Sequence, residues 1–212
     1  MADNECGYMG GISGRFGNLV AFKSNGKVKI RKRPEFPKNR TFSPGQQLHQ
    51  LKFQVASKFY RNVSDLLLKT YEGLNKPRLV RNAVIAQLLN QAVEGTAPNL
   101  FVNPSEAMMA KGTLKRRTSP TAESTQPGIL KFNWDAVDVS GDRAADKSIL
   151  VAYYPETEDI WYTVSGPQRS ALQGQLEMPF FSGKEVHTWI SFVSSDGKKI
   201  ADSIYTGLVL IA

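Results

Sequence analysis

The chain has 212 residues, 41% hydrophobic and 22% charged, which suits one good core or two modest ones and excludes a disordered chain. Its single cysteine, Cys6, excludes an intramolecular disulfide and a cysteine zinc cluster, and no run approaches the roughly 18–20 apolar residues of a membrane helix. The net charge of +8 is unevenly spread: residues 1–118 hold 20 Lys/Arg against 7 Asp/Glu, and residues 119–212 hold 7 against 12. Such a split suits two functional regions or head-to-tail attraction between copies, against the plainer reading that two solvated faces merely differ.

In chain order, the start MADNECGYMGGISG has no basic region followed by an apolar run, so cytoplasmic synthesis without a signal peptide is expected. Gly7, Gly10, Gly11, Gly14 and Gly17 mark residues 7–18 as an irregular arm or tightly packed loop. LVAFKSNGKVKIRKR follows. Its two β-prone runs flank Asn25-Gly26, a hairpin signal because both positions of the tight turn need positive φ. A two-residue turn sets Lys27, Lys29 and Arg31 on one face with Val20 and Phe22. Leu19, Ala21, Val28 and Ile30 then take the other.

Pro34, Pro37 and Pro44 break regular structure. Ser43-Pro44-Gly45-Gln46 reads as a helix start, with Ser as N-cap, Pro at the first helical position and Gln three residues after the cap. Leu48, Leu51, Val55, Phe59, Val63 and Leu66 recur on one face, with Phe53, Tyr60 and Leu67 beside them. The spacing predicts an amphipathic helix over 45–70. A second helix is expected from Asn82 to Glu94, stopped by Gly95 and apolar on much of its circumference. Residues 99–115 suggest short strands at LFV and AMM, and the Pro/Ser/Thr-rich stretch 115–128 reads as a linker.

Beyond it, ILKFNW, SILVAYY, IWYTV, QLEMP, HTWISFVS and SIYTGLVLIA are spaced by turns, with Asp196-Gly197 marking a hairpin between the last two. Six or seven short strands in a segment this size predict an antiparallel sandwich of immunoglobulin or fibronectin type III character, with Trp134, Trp189 and Tyr205 as core or corner residues. Without the immunoglobulin disulfide, the fibronectin variant is favoured. The expected fold is α+β: a glycine-rich arm and basic hairpin over 1–42, a helical region over 43–114, a linker over 115–128 and a sandwich over 129–212.

Several elements together resemble an uncharacterised family common in Bacteroidetes, domain of unknown function 6266. They are Gly14-x-x-Gly17-Asn18-x-Val20, Arg31-x-x-Pro34, Ser43-Pro44-x-Gln46 leading to Lys52-Phe53, Asn82-Ala83, and Ser195-Asp196-Gly197-Lys198 leading to Ser203-x-Tyr205-x-Gly207. The order and spacing carry the resemblance over nearly the whole chain. Such proteins often have Arg where Gln50 stands and a Trp-Lys step near Phe22-Lys23. The resemblance implies the layout and brings no activity, cofactor or catalytic residue with it.

Motifs for chemistry are sparse. Gly11-x-x-Gly14-x-x-Gly17 lacks the GxGxxG spacing and precedes a strand, so no helix N-terminus would meet a phosphate. Only His49 and His187 could serve a nucleophilic triad, and each falls where a structural role suffices. Asp135, Asp138, Asp142 and Asp146 cluster between two strands, where carboxylates could hold Ca²⁺, but the spacing is not that of an EF-hand and solvated acidic turns are common. Glu156, Glu158 and Asp159 read as a hairpin tip.

The strongest functional signal is basic. Arg15, Lys23, Lys27, Lys29, Arg31, Lys32, Arg33, Lys38 and Arg40 face Glu35 alone within residues 15–40, interleaved with Phe16, Phe22, Phe36 and Phe42. Cations for phosphates beside aromatics for bases suit a nucleic-acid surface. The same composition suits docking on an acidic protein. The expectation is a non-catalytic assembly protein, a virion or surface-array component, that self-associates through its N-terminal arm and β-domain without cofactor or metal. The alternative is nucleic-acid binding through 15–40.

Overall fold

The computed structural model describes residues 13–24, 26–35, 41–115, 119–135 and 141–212, the side chains of residues 141 and 142 excepted. They form an α+β protein that divides into two compact units, Met1–Ser43 and Pro44–Ala212.

In the first unit, β1 (Gly14–Phe16), β2 (Leu19–Ser24) and β3 (Lys27–Lys32) lie antiparallel in that order. Ser24 pairs with Lys27, and Gly26 takes φ 80°, a conformation that glycine reaches without strain; Asn25 itself lies outside the described residues. The expected faces follow, with Val20 opposite Arg31, Phe22 opposite Lys29 and Ala21 opposite Ile30. β1 corrects the reading of 7–18 as irregular. Phe16 pairs with Leu19 across a second two-residue turn at Gly17-Asn18, which the glycine spacing alone did not distinguish from a loop. Residues 7–12 of the expected arm lie outside the described residues.

The second unit opens with α1 (Pro44–Thr70), where the apolar periodicity predicted a helix. Leu48, Leu51 and Phe53 are exposed on its first turns. From Ala56 onward the stripe is buried, through Phe59, Tyr60, Val63, Leu66 and Leu67. At the C-terminal end Thr70 Oγ1 donates to Leu66 O (3.1 Å) and to Met109 O (2.7 Å), which ties the last turn to a later segment.

α2 (Pro77–Gln87) begins five residues before the expected Asn82, because Lys76 is extended and Pro77 supplies the first helical φ. It passes into a π-helical turn over Leu88–Ala92 and then into β4 (Val93–Thr96), which pairs with β5 (Asn99–Val102). Gly95 therefore lies in a strand instead of stopping a helix. The expected AMM strand is also absent. Lys111 bridges to Tyr71 and Leu114 to Ala201, one backbone contact at a time.

Seven strands follow among the described residues: β6 (Thr121–Gln126), β7 (Ile129–Asn133), β8 (Lys147–Tyr154), β9 (Asp159–Thr163), β10 (Gln173–Glu177), β11 (Glu185–Val193) and β12 (Ile204–Leu210). They build two antiparallel sheets, ordered β10-β7-β6 and β12-β11-β8-β9. β6 occupies part of the segment expected as a linker. Its polar side chains carry no hydrophobic signal, and its strand state comes from pairing with β7.

Leu130 and Phe132 of β7, Leu176 of β10, Leu150 and Ala152 of β8, and Ile190 and Phe192 of β11 form one buried cluster between the sheets. The opposite face of the four-stranded sheet is also buried. There Ile149, Val151, Tyr153 and Trp189 share a second cluster with Phe59, Val63 and Leu66 of α1 and Val80 and Val84 of α2. Helices, four-stranded sheet and three-stranded sheet thus make three layers. Burial on both sides accounts for the unbroken apolar run SILVAYY, since a strand with one wet face would alternate.

Candidate functional site

The basic surface is built by register. Arg15 pairs with Val20 and Val20 with Arg31, while Phe22 pairs with Lys29 and Ser24 with Lys27. Directly opposed residues share a face, so Arg15, Lys27, Lys29 and Arg31 stand on one side of the small sheet around Val20 and Phe22. The Arg31 guanidinium carbon lies 5.5 Å from the centre of the Phe22 ring. Lys23 and Lys32 project on the other side, among Phe16, Leu19, Ala21, Val28 and Ile30. Arg33 closes the sheet by donating its backbone N–H to Asn18 O (2.6 Å). Lys38 and Arg40 lie outside the described residues.

The face is electrostatically uncomfortable in isolation. Lys27, Lys29 and Arg31 alternate along one strand, about 7 Å apart at strand rise, so adjacent members repel by roughly 0.6 kcal/mol in water. Among the described residues no carboxylate pairs with these cations. An anionic partner would relieve this repulsion. The reverse side is the more apolar one, with Phe16, Leu19 and Ile30 each about half exposed.

Of the residues weighed for catalysis, His187 has structural employment. His187 lies on β11, with its Nδ1 2.8 Å from the Tyr205 hydroxyl and its ring against Trp189 and Tyr205. Burial pushes its pKa below the usual 6.5, against the opposing pull of Glu185. Trp189 Nε1 donates to Ala107 O (3.0 Å), and Ser203 Oγ accepts from Met109 N (2.9 Å). His49 is exposed on α1. Of the aspartate cluster, Asp138 lies outside the described residues and Asp146 is buried beside Arg169. Among the described residues no three His, Cys, Asp or Glu side chains gather as metal ligands.

Sequence reasoning passed over Glu72. Its Oε2 accepts from the amides of Thr113 (2.8 Å) and Ile200 (2.9 Å), and its Oε1 from the Thr113 hydroxyl (2.7 Å). Burial pushes this carboxyl up, but these donors and Lys199 outweigh it and hold the pKa below the usual range. The carboxylate borders a groove of about 560 Å³ with Lys69, Tyr71 and Lys198, yet its lone pairs are spent on holding two segments together. Glu158 is similarly engaged, accepting from Lys58 (2.6 Å) and Asn62 (2.8 Å) of α1.

Also unforeseen is the surface at β9. Trp161 is exposed beside the Phe181 ring (6.1 Å), and Lys184 Nζ lies over both Tyr154 (5.0 Å) and Phe181 (5.3 Å). Only the aromatic content of IWYTV hinted at it.

Several of the motifs that carried the family resemblance have roles in folding. Gly17-Asn18 forms a turn, and Asp196 Oδ1 accepts from Lys198 N (3.1 Å) in the loop joining β11 to β12. Ser203 and Tyr205 anchor β12, and the pairing of β11 with β12 shifts register between Thr188 and Trp189, opposite Tyr205 and Gly207. No curated protein and no solved structure matches the chain. The model of a family of unknown function, DUF6266, matches residues 11–207, and the chain therefore belongs to that family.

Proposed function

We propose that this protein is a non-catalytic assembly component that self-associates through its small basic sheet and its β-rich unit. The observation that carries the reading is the two-sided chemistry of residues 14–33. Arg15, Lys27, Lys29 and Arg31 share one face, and half-exposed Phe16, Leu19 and Ile30 share the other. Exposed apolar groups on so small an element suit a contact surface better than a solvated ornament. The unequal charge of the two parts of the chain gives each copy an attractive partner in the next. Repetition of such contacts suits a virion shell, a tail or a surface array.

The β-rich part is best read as a fibronectin type III-like sandwich. Sheets ordered β10-β7-β6 and β12-β11-β8-β9, with seven strands and no disulfide, support this assignment. Light scattering after size exclusion tests the assembly reading. Mass should rise with protein concentration and fall with salt, and a monomer at every concentration and ionic strength would end it.

A second reading is nucleic-acid binding, favoured by the stacking of Arg31 on Phe22 within the same cationic face. Titration of mixed-sequence DNA and RNA at low salt is its test, and absence of binding there removes it.

A further inference from the structure

We propose that β3 of one copy adds as a fifth strand to the outer edge of β9 in a second copy. This rests on the self-association reading and specifies its contact. Both strands are sheet edges: β3 ends the order β1-β2-β3, and β9 ends the order β12-β11-β8-β9. Among the described residues, β3 is laddered only to β2 and β9 only to β8. Each leaves one row of amides and carbonyls facing outward, the template on which strand addition works.

The lengths and side chains match. β3 has six residues and β9 has five. In an antiparallel register with Arg31 opposite Asp159, Ile30 meets Ile160, Lys29 meets Trp161, Val28 meets Tyr162 and Lys27 meets Thr163. One face gains an Arg–carboxylate pair and a lysine against an exposed indole. On the other face Val28 and Ile30 extend the apolar row of Ile160 and Tyr162, which already packs on the helix-side core. Slipping the strand by one residue would put lysines against that apolar row, so the alternation also selects register.

The other pairings are poorer. β3 against β3 opposes like charges, which disfavours symmetric edge pairing. The edges of β12 and β6 are tied together by Ala212 N to Ser124 Oγ (3.0 Å) and Gly128 N to Ala212 O (3.0 Å). β10, the remaining edge of the two larger sheets, offers QGQLE, which matches β9 in its single carboxylate but has no aromatic side chain to meet a lysine. A β3–β9 contact that is reciprocated closes a two-fold dimer, and one that is not propagates into a ring or filament.

The test uses two variants, each checked for native circular dichroism. Lys29→Glu with Arg31→Glu spoils the donor, and Asp159→Lys with Trp161→Lys spoils the acceptor. Each alone should associate at least tenfold more weakly than the unaltered protein, and a one-to-one mixture should recover association because opposite charges again meet. In a Cys6→Ser background, Ile30→Cys on one copy and Ile160→Cys on another should give a disulfide-linked mixed dimer. Association of the unaltered protein that neither variant weakens, or that mixing does not restore, overturns the β3–β9 contact while leaving self-association standing. A strictly monomeric unaltered protein overturns both.

Discussion

Arg169 Nη1 lies 3.7 Å from Asp146 Oδ2 with the two side chains only 1% and 3% exposed, so an ion pair is enclosed within the β-rich unit. The guanidinium carbon sits 4.5 Å from the Phe192 ring centre, and the Arg169 backbone carbonyl accepts from Trp134 Nε1 (2.7 Å). Desolvation pushes the Asp146 carboxyl above its usual pKa, outweighing the attraction of Arg169. Removing one group takes a charged partner from the other in a site closed to water. Asp146→Ala is therefore expected to cost about 1–3 kcal/mol in urea unfolding, and Asp146→Leu combined with Arg169→Met to cost less than either single change.

Gly112 is held against Ile200 and Glu72, where a Cβ would collide with the Ile200 carbonyl and the Glu72 carboxylate. Gly112→Ala must push these segments apart. The expected loss is about 2–4 kcal/mol, with overpacking and broken hydrogen bonds combined. Glu72→Gln keeps the shape and loses the charge. Because the site is partly exposed and the Lys199 attraction is screened, that change should cost only about 1 kcal/mol by urea midpoint.

Acidification should weaken the fold through His187 and then through two carboxylates, with the raised Asp146 pulling the other way. The pKa of His187 is lowered in the folded state, so the unfolded chain takes up a proton more readily. This contribution to stability is present above the usual 6.5 and is lost as pH falls from there through the folded value. Glu72 and Glu158 have lowered folded pKa values, so their contributions are present above the usual carboxylate range and fade at lower pH still. Replacing His187 by Gln should flatten the upper step in a series of thermal melts between pH 7 and 5 and leave the lower one.

Changing Lys27, Lys29 and Arg31 together to Ala should leave the melting of the Pro44–Ala212 unit within about 0.5 kcal/mol of the unaltered protein, since these are surface positions of the other unit. Any interaction with a polyanion should weaken sharply. If nucleic acid is the partner, the slope of log affinity against log salt should fall by about 0.9 for each cation removed. An unchanged slope would place these side chains outside the contact.

The amino-acid sequence by itself determined the elements whose pattern is local. α1 follows from apolar residues at three- and four-residue steps behind Ser43-Pro44, and the β2–β3 hairpin from Asn25-Gly26, down to which residues share a face. Six of the seven C-terminal strands were legible as apolar or aromatic runs between turns. The chain also declared the basic surface, because charge is countable without a fold. Tertiary structure decided the rest. β6 is a strand because β7 offers hydrogen bonds, whereas TAESTQ carries no hydrophobic alternation. The helices and the β-strands share a core because β8 is buried on both faces, a fact written in SILVAYY but ambiguous until a layer covers each side. Glu72, Gly112 and the Asp146–Arg169 pair draw their roles from partners 23 to 128 residues away, and no sequence window contains both ends of such a contact. The cations could be read in advance, but that β9, with Asp159 and Trp161, ends its sheet emerged only once the strand order was known.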